Sequence, residues 1–216
     1  MNGMTESLRE QLQLILTSGL SKDALAHADQ VARIAWVLHQ AFGQGGLRST
    51  VVGGSAIELH APGIYLSGDI DLVVERLRQG VAGIEEIFES LGFEREGRHW
   101  RIGDLFVEVP STTLTDPSEY MRVGSAVFEI VTKEVVLADR IVGFRQWQVL
   151  AWGQQAIDLV AAFGEGIDEP WLRDRLVREG SLDALDPLRD LAVSDDLVTE
   201  ATLAQLLTRL RTRPDQ

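Results

Sequence analysis

The sequence predicts an α+β fold: a mixed β-sheet flanked by helices, followed by a helical region. Three observations carry that prediction. Apolar residues recur at helical spacing before residue 44 and again after residue 133, and short alternating or β-branched runs gather between Ser49 and Val131. Glycines punctuate the ends of those runs. Strands mixed with helices in one segment point to a sheet that buries a face against helices. The expected division is an α/β domain with N-terminal helices over 1–132 and a helical region over 133–216.

Each element has its own reason. Leu8, Leu12 and Ile15 give a first helix its apolar stripe. Ser21 is the expected N-cap of a second helix, whose Val31, Ile34, Ala35 and Leu38 share one face before it ends near Gly43–Gly46. Thr50-Val51-Val52 reads as a buried strand that stops at Gly53-Gly54. Further strands are expected at Ile70–Val74, Phe93–Ile102, Leu105–Val109 and Val127–Val131, with a tight turn near Gly103-Asp104. A helix from about Val81 to Leu91, stopped by Gly92, lies between the second and third strands. After Lys133, apolar spacing predicts helices around Val135–Phe144, Ile157–Phe163, Trp171–Val177, Leu185–Leu191 and Thr199–Leu210, then a polar tail. Trp147, Trp152 and Trp171 are expected to pack the core of that region.

Composition narrows the function. With 45% hydrophobic and 25% charged residues among 216, the chain is long and apolar enough to build a core unaided. It contains no cysteine, which excludes disulfides, thiolate metal sites and a cysteine nucleophile. Neither a secretory signal pattern nor a membrane-length apolar run is read in it, so the expected location is cytoplasmic, without a membrane. The net charge of −13, from 20 basic and 33 acidic side chains, argues against a general nucleic-acid-coating role.

The chemistry concentrates in Val51-Val52-Gly53-Gly54-Ser55-Ala56 and Ser67-Gly68-Asp69-Ile70-Asp71-Leu72. Residues two apart on a strand share a face, so Asp69 and Asp71 project together from a segment otherwise rich in Ile, Leu and Val. Such carboxylates repel one another and resist desolvation, and a hard divalent cation removes both penalties. Glu108 interrupts the apolar strand Leu105–Val109 and completes the set if that strand lies alongside. The Gly53-Gly54-Ser55 turn allows close backbone approach to an anion, with Ser55 expected to cap a helix whose N–H groups favour phosphate. His60 and His99 have no partner at metal-ligand spacing, and His27 and His39 are expected to be surface or internally satisfied.

Taken together, a Gly-Gly-Ser-Ala turn, an Asp-hydrophobic-Asp pair and a later acidic strand residue resemble the polymerase-β-type nucleotidyltransferase superfamily. They look most like its AbiEii-like and MenT-like toxin branch or an uncharacterised relative. Ala138-Asp139-Arg140 and Ala156-Ile157-Asp158-Leu159 are a weaker echo of the same branch. The resemblance implies that Asp69, Asp71 and Glu108 hold Mg²⁺ or Mn²⁺, and that Gly53, Gly54 and Ser55 cradle the phosphates of an NTP. Lys133 and Arg140, with Arg145, are candidate phosphate contacts. It also implies transfer of a nucleoside monophosphate to a hydroxyl on a tRNA end, a protein side chain or a small molecule, with an antitoxin-like partner in the toxin branch. Arg140 stands where toxin-like members carry lysine. A second reading therefore keeps the fold and nucleotide binding without transfer, as a regulatory module. A third, in which an unrelated metal-dependent protein shares only the acidic pair, requires Glu108 to lie far from Asp69 and Asp71.

Overall fold

A computed structural model describes residues 2–17, 19–77 and 82–212, with side chains from 6 to 211 within those limits. The chain divides into two compact units, Met1–Thr132 and Lys133–Gln216.

The first unit opens with helices α1 (Asn2–Leu16) and α2 (Ala24–Gln44). The cap of α2 is Asp23, whose carboxylate accepts from Ala26 N at 3.0 Å, and not Ser21. Ser21, two residues upstream, instead accepts from Asp23 N. Strand β1 (Leu47–Val52) runs directly into helix α3 (Gly53–His60), and β2 (Ile70–Arg76) follows. Helix α4 (Ile84–Leu91) ends at Gly92 as expected, while the anticipated start at Val81 lies outside the described residues.

The expected strand Phe93–Ile102 is two strands, β3 (Glu94–Glu96) and β4 (His99–Ile102), folded back on each other around Gly97-Arg98. Next come β5 (Leu105–Ser111), β6 (Ser118–Val123) and β7 (Ala126–Val131). β6 is a largely exposed edge strand with little apolar alternation, which is why periodicity did not announce it.

The seven strands form one mixed sheet in the order β3-β4-β5-β2-β1-β7-β6. β1 pairs antiparallel with β2 and parallel with β7, and β2 pairs parallel with β5. One sheet face carries Val51, Ile70, Leu72, Trp100, Val107 and Ile130, all buried. Helices α2 and α4 meet this face through aromatic contacts. Phe88 lies edge-on to Phe42 at 5.3 Å and stacks on Trp100 at 4.7 Å. Alternation then sends Asp71, Glu108 and His99 to the opposite face.

The second unit is helical: α5 (Lys133–Trp147), α6 (Leu150–Phe163), α7 (Glu169–Arg178), a single 3-10 turn at Leu182–Ala184, α8 (Leu185–Ala192) and α9 (Glu200–Thr212). α5 and α6 interlock because the Trp152 ring fills the space a side chain on Gly143 would need. Leu137, Ile141, Phe144, Leu159, Leu172 and Leu188 are fully buried. Trp147 departs from expectation. It is 66% exposed and touches Trp152 edge-on at 5.3 Å instead of joining the core. The polar tail at 213–216 lies outside the described residues. No described helix is long and apolar enough to cross a membrane.

Candidate metal centre

Three adjacent strands bring the carboxylates together. Asp71 is the register partner of Glu108 across the parallel β2–β5 pair, and Glu108 is the partner of His99 across the antiparallel β4–β5 pair. Asp69 sits just before β2. Asp69, His99 and Glu108 each offer a ligand atom within 4.8 Å of the others. His99 Nε2 is 3.4 Å from Glu108 Oε2 and 3.7 Å from Asp69 Oδ2. Their side chains are 32% (Asp69), 26% (His99) and 16% (Glu108) exposed, so the group is half-sheltered yet open to an ion from solvent.

The second oxygen of Glu108 faces Arg98 Nε at 3.4 Å. Ser67 Oγ donates to Asp69 Oδ1 at 3.5 Å, the outer limit of a hydrogen bond. Each carboxylate thus has one oxygen occupied by a neighbour and the other turned toward His99. A β-bulge falls beside the site. The β2–β5 register shifts between Asp71 and Val73, so that Val73 faces Ser111. Pro110, with no N–H to give the ladder, lies inside the slipped stretch.

Asp71 faces the glycine turn. Its Oδ2 accepts from Gly54 N at 3.3 Å. Gly53 has φ +61°, and a Cβ there would overlap that carboxylate, so both backbone conformation and close approach demand glycine. Ser55 is not the cap of α3. The helix starts at Gly53 with Val52 in the cap position, and Ser55 lies buried within the first turn. There its hydroxyl donates to Asp69 O at 2.8 Å and accepts from Asp71 N at 3.3 Å. The residue expected to hold phosphate therefore also clamps the backbone of the acidic pair.

Glu58 supports the same loop from below. This fully buried carboxylate on α3 pairs with buried His27 of α2 and accepts from Ser67 N at 3.1 Å. His27 is thus internally satisfied, His39 Nδ1 meets Ser49 O at 3.2 Å, and His60 Nε2 meets Val131 O at 2.8 Å. Lys133 and Arg140 belong to α5 in the second unit. There the Arg140 guanidinium lies over the Trp152 ring at 4.4 Å.

His99 overturns a sequence expectation, since it stands beside two carboxylates. The signal was present in the hairpin. A two-residue turn at Gly103-Asp104, with Gly103 at φ +60°, sets Ile102 opposite Leu105, and stepping outward sets His99 opposite Glu108. Ligand spacing along the chain misses such a pair because the residues meet across a ladder.

The arrangement offers two carboxylates and an imidazole, a donor set that fits a divalent cation. No protein-family model matches the chain. No curated protein matches it either. Among solved structures, the fold is similar to the crystal structure of an antigenic nucleotidyltransferase-like protein from Paracoccidioides brasiliensis. The TM-score is 0.54 and the identity 15%, over 85% of this chain and 98% of that one. The mixed seven-stranded sheet flanked by helices is thus a nucleotidyltransferase-like fold.

Proposed function

We propose that the chain is a metal-dependent nucleotidyltransferase moving a nucleoside monophosphate from an NTP to a hydroxyl acceptor. The observation that carries this reading is the β1–Gly53-Gly54–α3 turn tied directly to Asp71, with Glu108 on the neighbouring strand and Asp69 just before β2. Asp69, Asp71 and Glu108 would hold the Mg²⁺ or Mn²⁺, and Asp71 also ties the site to the turn through Gly54 N. When bound, the cation neutralises the triphosphate and the charge that develops on departing pyrophosphate.

The chain's own residues do the rest. N–H groups at the start of α3 favour the phosphates. Asp71 sets the position of Gly54, and Ser55 locks Asp69 and Asp71 in register. The acceptor oxygen forms a bond to the α-phosphorus, the bridge to the β-phosphate breaks, and the hydroxyl proton passes to a carboxylate of the cluster or to water. Positioning supplies most of the acceleration.

Within the superfamily, the motif order favours the AbiEii-like and MenT-like branch, where an antitoxin-like partner is expected. The net charge of −13 favours a protein side chain or small molecule over a tRNA end as acceptor. The second reading, a nucleotide-binding module without transfer, draws support from Arg140, which packs on Trp152 where toxin-like members carry lysine.

The test supplies each α-labelled NTP with Mg²⁺ or Mn²⁺ to wild type and Asp71→Ala, following melting temperature and label transfer to tRNA, protein and small-molecule hydroxyls. Metal-dependent stabilisation and transfer, both lost in Asp71→Ala, support the enzyme. Binding without transfer to any acceptor selects the module. Folded wild type that binds no NTP with either cation overturns both.

A further inference from the structure

His99 Nε2 faces carboxylates on two sides, which either hydrogen bonds from the ring or a shared metal ion would satisfy. The spacing discriminates. Charge-assisted N–H···O bonds close to about 2.7–2.9 Å. His99 Nε2 stands 3.4 Å from Glu108 Oε2 and 3.7 Å from Asp69 Oδ2. One proton at Nε2 reaches neither oxygen well. Ligand atoms about 2.0–2.2 Å from a shared ion, by contrast, lie roughly 3–3.5 Å apart when it is four- to six-coordinate, a range that takes in the Glu108 separation and falls just short of the Asp69 one.

The rest of the local structure presents these atoms outward. Arg98 faces Glu108 Oε1, leaving Oε2 toward the histidine. Ser67 meets Asp69 Oδ1, leaving Oδ2 toward it. The His99 ring stands edge-on to Phe106 at 6.0 Å, which limits its swing. β4–β5 pairing fixes its backbone directly opposite Glu108.

We propose that His99 is a nitrogen ligand, and that Asp69, His99 and Glu108 form a mixed nitrogen–oxygen site. That site selects a transition-series divalent cation such as Co²⁺, Mn²⁺ or Zn²⁺ over Mg²⁺. Mg²⁺ favours all-oxygen surroundings, whereas an imidazole raises affinity along the first transition row. The proposal deepens the metal-dependent reading above but requires no nucleotide, so the two fail separately.

The experiment titrates metal-free protein with Co²⁺ and with Mg²⁺ alone, by calorimetry and visible absorption, in wild type, His99→Ala and His99→Gln. The expected result is one Co²⁺ per chain, bound at least about tenfold more tightly than Mg²⁺. Either His99 variant should lose roughly 10–100-fold in Co²⁺ affinity and alter the d–d spectrum, with little change toward Mg²⁺. X-ray absorption of Co²⁺-loaded wild type, which needs no variant to fold, should show the outer-shell scattering of one imidazole. An all-oxygen shell, equal affinity for the two cations, or Co²⁺ affinity and spectrum unchanged in folded His99→Ala each overturns the proposal. NTP binding that persists in any of those cases leaves the nucleotidyltransferase reading standing and removes only His99.

Discussion

Two carboxylate clusters sit at opposite ends of β2 and are neutralised in different ways. At the far end, Glu75 and Glu129 surround Arg48 of β1. Arg48 Nε donates to Glu129 Oε2 at 2.8 Å, its Nη2 reaches Ser118 Oγ at 3.0 Å, and Ser118 donates to Glu129 Oε1 at 2.6 Å. Burial alone would push the Glu129 carboxyl up, but the hydrogen bonds from Arg48 and Ser118 outweigh it and hold it below the usual range. At the near end, Asp69 and Glu108 face His99 at 3.4–3.7 Å, too far for strong hydrogen bonds. One cluster closes on a cation supplied by the chain. The other sets two carboxylates and an imidazole close enough together that they could share a cation. On the proposed function, stability and chemistry are thus separated along a single sheet.

That contrast can be broken in four ways. Glu108→Gln should have the largest effect, lowering metal-dependent NTP binding or transfer by roughly 10²-fold, read by calorimetry or label transfer. An unchanged value would remove Glu108 from the site.

Arg48→Ala should destabilise the chain by about 1–3 kcal/mol, because it strands buried Glu129, the partly exposed arginine moderating the loss. Metal-free Asp69→Asn should fall within about 0.5 kcal/mol of wild type or gain stability, since it relieves repulsion. Urea melts of both decide the matter. Equal destabilisation would mean that the two ends are built alike.

Acid should weaken the far end. The folded pKa of Glu129 lies below its unfolded value of about 4.3, so its stabilisation is complete above that pH. It is lost as pH falls through the lower folded value. Glu169 of α7, held down by hydrogen bonds from Arg189 and Arg173, adds the same slope from the helical unit. Glu129→Gln should flatten the stability profile below about pH 4.3. A slope equal to wild type would discharge Glu129 from that role.

Ser55→Ala should cost about 1–2 kcal/mol, from two backbone groups left without their hydroxyl. Its NTP affinity separates two roles. Lost stability with unchanged affinity marks a clamp, whereas affinity lost beyond stability marks a direct phosphate contact.

Much of this molecule was legible in local pattern. Helix stripes at 3.6-residue spacing, strand runs of β-branched residues, the Gly92 stop and the Gly103-Asp104 turn all appear where short-range sterics dictate. The acidic pair and Glu108 stood out because charge interrupting an apolar strand is costly without compensation. β6 escaped because an exposed edge strand carries no burial pattern, and Ser21 was preferred to Asp23 because both are good capping residues two positions apart.

Alternation and composition alone determined which side chains could carry chemistry: Asp69, Asp71 and Glu108 on apolar strands, and glycines at the turn. Only the tertiary structure decided their partners. Strand order placed β5 beside β2, the hairpin brought His99 opposite Glu108, and the close packing of α3 turned Ser55 inward and Asp71 toward Gly54. The reason is physical. Periodicity records which face of an element meets water, whereas register and side-chain partners depend on residues dozens of positions apart, chosen by packing the whole sheet at once.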